Sequence, residues 1–288
     1  MLSFLEGISK RLTDRILVDA VLPGLVWIAA LRFALTIGHV HPADLSAVSR
    51  RVQELWTGLG TRGTGSGVVL VIVLAVAAYV VAQVTAGLSL VVRRCWLDEG
   101  RLRFLAPLRR HRRERWTSER NAAEAARDAG DLAAADVHDA ARNAIAWAEP
   151  QCASWMGDRM AALESRLRAE HGLDLVSAWP AIWFLVAENI REEISAADEG
   201  FRKAVSVSAW GLLFAPLGLW CWPIGLVGAV VYAVGLYRAR GHLDTLARSA
   251  DVVVDLSMGQ LAEAMGVNPG EENPQRGLEI TARIRKGA

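Results

Sequence analysis

Between Ala204 and Tyr237 the chain runs for thirty-four residues without a charged side chain, and no other feature restricts its fold so sharply. As one helix the run would extend roughly 51 Å, well past a hydrocarbon core of roughly 30 Å. It is therefore expected to reverse at Leu219 to Pro223, where Trp220 and Trp222 suit the headgroup level and Pro223 can open a new helix. Arg202 and Lys203 precede the run, and Arg238 and Arg240 follow it. Positive charge on both flanks places both ends in the cytoplasm and the turn outside. The competing reading, a buried hairpin of a soluble protein, is disfavoured by length. A content of 52% hydrophobic residues is high for a soluble chain of 288 residues and agrees with insertion into a bilayer.

The same logic orders the amino-terminal region. Leu5, Ile8, Leu12 and Ile16 recur at helical steps with Glu6, Lys10, Arg11, Asp14 and Arg15 opposite, the pattern of an amphipathic helix at the cytoplasmic interface. No small-residue cleavage site follows a short apolar run, so the membrane helices are expected to serve as the targeting signal. A first span, 16–38, carries Asp19 and Arg32. Ionisable groups at membrane depth hint at function, while their positions towards the ends of the span favour headgroup contact and snorkelling. The outer loop, 39–66, holds a His39/His41 pair without further ligands and a glycine-rich run that lacks the Gly-Lys-Ser/Thr ending of a phosphate loop, and reads as a flexible linker. The second span, 67–92, is uncharged from Val68 to Val92 and is closed by Arg93 and Arg94. Ala78, Ala82 and Ala86 form a small-residue stripe that lets a helix approach, matched by Gly225, Ala229 and Ala233 in the fourth span, and Gln83 lies beside the first stripe.

Residues 93–203 are expected to form a cytoplasmic helical domain. Its entry is basic: Arg109, Arg110, Arg112, Arg113 and Arg115 stand close to a membrane exit, where each can contact anionic lipid. The positive-inside rule accounts for this charge, and without aromatic interleaving or a recognised module no nucleic-acid partner is expected. An Ala-rich stretch to Trp147 breaks at Asp128 to Asp131. Met156, Met160, Leu163 and Leu167 then mark a helix stopped by Gly172 in the usual capping position. The apolar run from Val176 to Ala187 is too short to cross a bilayer. It reads as a core helix or, alternatively, as a re-entrant segment held by Trp179 and Trp183. Gly172 is read as terminating a helix in a left-handed conformation, Asp174 as accepting backbone or Arg hydrogen bonds, and Trp179 and Pro180 as setting the entry to the apolar helix. Asp158, Glu164 and Asp174 read as a solvated face.

Gly172, Leu173, Asp174, Trp179 and Pro180, with Trp96 and the Asp98 to Gly100 turn, carry a likeness. The chain resembles a group of bacterial, particularly actinobacterial, integral membrane proteins of uncharacterised role, with a Gly-Leu/Ile-Asp then Trp-Pro pattern between two pairs of membrane helices. The resemblance implies a membrane architecture and no particular activity.

The sequence thus predicts an all-α, polytopic membrane protein with about four transmembrane helices in two hairpins. The third and fourth spans are 204–219 and 223–237, an amphipathic entry helix covers 1–15, and cytoplasmic helices cover 238–288. The expected setting is a bacterial plasma membrane with both termini cytoplasmic. The expected role is a non-enzymatic interaction or sensing platform, with membrane lipids and either a second copy or another protein as partners. An oligomeric pore, transport element or membrane-disrupting effector is the alternative that Asp19, Arg32 and Gln83 suggest. A membrane enzyme is a third, although no metalloprotease, nucleotide-loop, dinucleotide or hydrolase motif occurs. Cys95, Cys152 and Cys221 are too dispersed for a metal site, and no cofactor is expected.

Overall fold

Long runs of Val, Leu, Ile and Ala satisfy their backbone polar groups internally only by coiling, and among the described residues every regular element is helical. The computed structural model describes residues 21–37, 64–98, 100–267 and 274–285, with the side chains of 36, 37 and 64–67 outside the description. The helices are α1 (Leu22–Ile37), α2 (Thr64–Trp96), α3 (Ala106–Asp128), α4 (Leu132–Ile145), α5 (Trp155–His171), α6 (Leu175–Leu185), α7 (Glu188–Phe214), α8 (Trp222–Ala264) and α9 (Pro274–Ile284). Two of them are long and apolar enough to cross a membrane, α2 over Val68–Trp96 and α8. Of the expected first span, 16–38, the described residues hold the sixteen-residue α1, about 24 Å long. The expected third span is α-helical to Phe214, where Pro216 ends the α-helix, and continues as a 3-10 helix over Ala215–Leu219. Four continuous spans of full length are therefore not what the described helices provide. The expected outer loop, 39–66, also ends earlier: α2 begins at Thr64, because extending a nucleated helix adds a hydrogen bond for each residue fixed, even through glycine. The entry helix and the His39/His41 pair lie outside the described residues.

The described residues divide into two units. The first takes the chain up to Val92 together with Ala204–Tyr237, and the second takes Arg93–Lys203 with Arg238–Ala288. In the first unit α1 packs through Ala34, Trp27, Leu31 and Phe33 against Leu217, Cys221 and Phe214, and the Trp27 indole donates to the Leu213 carbonyl at 3.0 Å. A Cβ on Gly24 would stand 2.4 Å from the Ala78 carbonyl oxygen, so α1 meets α2 backbone to backbone there. Within α2 the polar side chains turn inward on their own helix: Thr85 donates to Val81 O at 2.9 Å and Ser89 to Thr85 O at 2.8 Å.

The second unit has the larger core. Leu163 and Leu167 of α5, Ala178 and Ile182 of α6, Ile194 of α7, Val254, Met258 and Leu261 of α8, and Ile280 of α9 are buried together. Burying each Leu, Ile, Val or Met side chain contributes about 1.5–3 kcal/mol, so this apolar contact is what gathers helices distant in sequence. Polar links fix their register. Arg159 donates to Asp244 at 3.0 Å while its guanidinium lies 4.5 Å over the Trp147 ring. α3 and α4 fold back on one another after Gly130, at φ +77°, with Asp131 capping α4 by accepting from Ala134 N at 3.0 Å. This hairpin is pinned by Trp116, which is buried and donates to Ala146 O at 3.0 Å.

Candidate functional site

The corner between α5 and α6 is where the chain's local signals and its distant contacts meet. Gly172 has φ +65° and ends α5, its N–H donating to Arg168 O at 3.0 Å while Leu173 N–H donates to Leu167 O at 3.4 Å. Glycine is required twice over: the left-handed conformation penalises any Cβ, and here a Cβ would stand 1.9 Å from the Pro274 carbonyl oxygen. Gly277 is the counterpart on α9, with its own Cβ position 1.8 Å from His171 O. Two glycines thus let α9 lie directly on the end of α5.

Asp174, at the start of α6, is tied to the same helix. Its N–H donates to the Thr281 hydroxyl at 3.2 Å, and its carboxylate accepts from the Ser177 hydroxyl and from the Arg285 guanidinium. Arg285 Nε also donates to Ser177 Oγ at 3.1 Å. The Ser177 hydroxyl, and then Arg285, hold the Asp174 carboxyl below the ordinary carboxylate range against the opposing effect of burial. Pro180 does not open the apolar helix, as its sequence position suggests; α6 begins at Leu175 and Pro180 sits inside it. The backbone donor it lacks would have served the Val176 carbonyl, on an exposed residue that water can reach. Trp179 is half-buried, with its ring 6.0 Å from that of Trp183. Arg191 closes the far end of α6 by donating to Trp183 O at 3.1 Å and Val186 O at 3.0 Å, with its guanidinium 5.6 Å over the Trp183 ring.

α6 is a core helix on one face only. Ala178, Ile182 and Val186 are buried, whereas Val176, Pro180 and Phe184 form an exposed row at four-residue steps. Beside that row an apolar groove of ≈ 750 Å³ opens against α7 and α8, lined by Trp179, Trp183, Ile194 and Leu246, with Asp198 and Arg202 among its few polar groups.

Other expected sites are placed differently. Of the basic cluster, Arg109 donates to Gly100 O at 2.7 Å, and Arg113 reaches Glu149 at 2.9 Å and Gln151 at 3.1 Å. Arg112 forms a 2.7 Å ion pair with Asp158, the side chains being 17% and 8% exposed. Arg110 and Arg115 remain exposed. Asp158 is accordingly not on a solvated face: it also accepts from Gln151 N at 2.9 Å and Cys152 N at 2.8 Å and anchors the start of α5. Asp98, at the turn after α2, is buried and accepts from Arg101 N at 3.1 Å and Leu102 N at 3.0 Å. Trp96 is buried, and its carbonyl accepts from Ser154.

Among the membrane-depth polar residues, Arg32 and Gln83 are exposed on α1 and α2, and Asp19 lies outside the described residues. Ala78 is fully buried, Ala82 half-buried and Ala86 exposed, while Ala229 and Ala233 are exposed and Gly225 packs against Gly218. The closer seam uses residues the four-residue spacing did not select. A Cβ on Gly211 would stand 2.4 Å from Tyr232 N, one on Gly228 2.9 Å from Gly211 O, and one on Gly235 2.2 Å from Ser208 Oγ. Among the described residues no group of three His, Cys, Asp or Glu side chains could hold a metal ion. No family model, curated protein or solved structure matches the chain.

Proposed function

We propose that the chain is a four-span integral membrane protein whose second unit is a cytoplasmic platform that binds a partner and performs no reaction of its own. The observation that carries the reading is α2: over Val68–Trp96 only 11% of its apolar window is buried. A core helix of a water-soluble protein would hide most of that surface, whereas lipid covers it at no cost. The apolar stretch of α8, of which only 17% is buried, supports the same conclusion. α1 and the stretch from Ala204 to Leu219 complete the four spans in this reading, the shorter helices being accommodated by local thinning of the bilayer. Full-length chain expressed in a bacterial host should float with lipid on a density gradient, resist extraction by alkaline carbonate and be released by mild detergent. Release by carbonate alone would overturn the proposal.

A further inference from the structure

We propose that a pocket between α3 and α4 binds a small organic phosphate, with Arg112 and Arg115 holding the phosphate and the last turn of α4 receiving the organic part. All of its residues belong to the second unit, so the site does not depend on where the membrane lies. The pocket, of ≈ 400 Å³, is lined by His111, Arg112 and Arg115 of α3 and by Ala141, Ala144 and Ile145 of α4, a volume in the range of small-molecule sites. It is preformed. Arg112 Nη2 donates to Ile145 O at 2.9 Å and Trp116 Nε1 to Ala146 O at 3.0 Å, which fixes the end of α4 against α3. The same two donors occupy carbonyls at the C-terminus of α4, whose partial negative charge would otherwise oppose an anion.

Charge selects the ligand. The lining holds basic side chains and no acidic one. Asp158 answers Arg112 through Nη2 at 2.7 Å, which leaves Nη1 without a hydrogen bond among the described residues. Arg115 has neither hydrogen bond nor ion pair among the described residues. Of the residues one turn away from it, His111, Arg112 and Ser118 are not acidic, and Glu119 is turned to His138 at 2.8 Å. Glu114, beside Arg115 in sequence, does not line the pocket. Arg112 and Arg115 are neighbours on the helix surface, where like charges repel, and a phosphate between them replaces that repulsion with charge-assisted hydrogen bonds. Its three terminal oxygens can accept from Arg112, Arg115 and the His111 ring together, whereas the two oxygens of a carboxylate lie in one plane. Ala141, Ala144 and Ile145 add an apolar wall about one helical turn, roughly 5 Å, in length. That wall suits a small ring and is too short for an acyl chain.

The test is calorimetric titration of the full chain, in a non-ionic detergent, with phenyl phosphate, inorganic phosphate, benzoate and phenyltrimethylammonium. Phenyl phosphate should bind saturably with a Kd of about 1 mM or tighter. Inorganic phosphate and benzoate should each bind roughly fivefold more weakly, and the cation should not bind. Arg115→Gln should weaken both phosphates roughly tenfold. Ala144→Leu, at an exposed position that fills the apolar side of the pocket, should weaken phenyl phosphate roughly fivefold and leave inorganic phosphate unchanged. Arg110→Gln removes an exposed cation outside the pocket and should change neither, and all three variants should keep the parent thermal midpoint without ligand. Equal losses in Arg110→Gln and Arg115→Gln would show diffuse attraction to a basic helix and overturn the site. Benzoate binding as tightly as phenyl phosphate would overturn the phosphate assignment. Binding of phosphatidylglycerol in mixed micelles with no response to phenyl phosphate would assign the basic residues to a lipid headgroup and overturn the small ligand.

Discussion

Gly130 and Gly172 have nearly the same backbone, at φ +77° and +65°, but different surroundings. A Cβ on Gly130 meets nothing within 4 Å, whereas one on Gly172 meets Pro274 O at 1.9 Å. Gly130→Ala should therefore cost only the left-handed penalty, about 1 kcal/mol. Gly172→Ala should cost about 1–3 kcal/mol more, because α9 must move off the end of α5. Equal losses in denaturant unfolding of the detergent-solubilised protein would show that the α9 contact does not hold the corner. Asp174 makes the same corner sensitive to pH. Its carboxyl is depressed on folding by Ser177 and then Arg285, so it adds stability above an unfolded value of about 3.9 that is lost as pH falls through the folded value. Asp174→Asn should be less stable than wild type by about 1–3 kcal/mol near neutrality, and the gap should close on acidification below about pH 4. A gap that stays constant with pH would mean that the carboxylate charge contributes nothing there.

At the scale of helices, the seam between α7 and α8 depends on glycines that allow backbone contact. Gly211→Ala and Gly235→Ala should each lower the thermal midpoint by several degrees, at about 2–4 °C per kcal/mol for a chain of this general size. Ala229→Leu and Ala233→Leu, on the exposed face of α8, should change stability by no more than about 0.5 kcal/mol. The reverse ranking in a thermal-shift assay would return the seam to the four-residue stripe. Of the residues picked by the small-residue spacing, Ala78 and Gly225 make close contacts while Ala86, Ala229 and Ala233 are exposed, because Gly and Ala occur on several sides of α8 and only the partner decides which side is covered. The α5 stop at Gly172 was legible because capping is local. Its partners were not: Thr281 and Arg285 lie 107 and 111 residues from Asp174, and nothing in the order of residues announces which helix will land on the corner. Asp158 was misread for the same reason, since its buried partner Arg112 is 46 residues away.

For the whole molecule the decisive quantity is topology, and charge placement makes it testable. Lys and Arg beside short loops favour the cytoplasmic side, which in the proposed four-span reading would put the stretch after Val92 and the stretch after Tyr237 in the same compartment. In this arrangement the turn at Trp220 and Cys221, where α7 gives way to α8, faces outward, and the second unit, Arg93–Lys203 with Arg238–Ala288, faces inward. The three native cysteines, Cys95, Cys152 and Cys221, would first be replaced by alanine, and only variants that keep the parent thermal midpoint would be used. Single cysteines introduced by Thr61→Cys and Trp220→Cys should then react with an impermeant maleimide added to intact cells. Ser118→Cys and Gln275→Cys should react only after the membrane is permeabilised. Outside labelling at Ser118 would break the link between the basic segment and the cytoplasm and remove the four-span arrangement. Protection at Trp220 with labelling at Thr61 would instead remove only the second hairpin, since the uncharged run would then fold within the inner compartment.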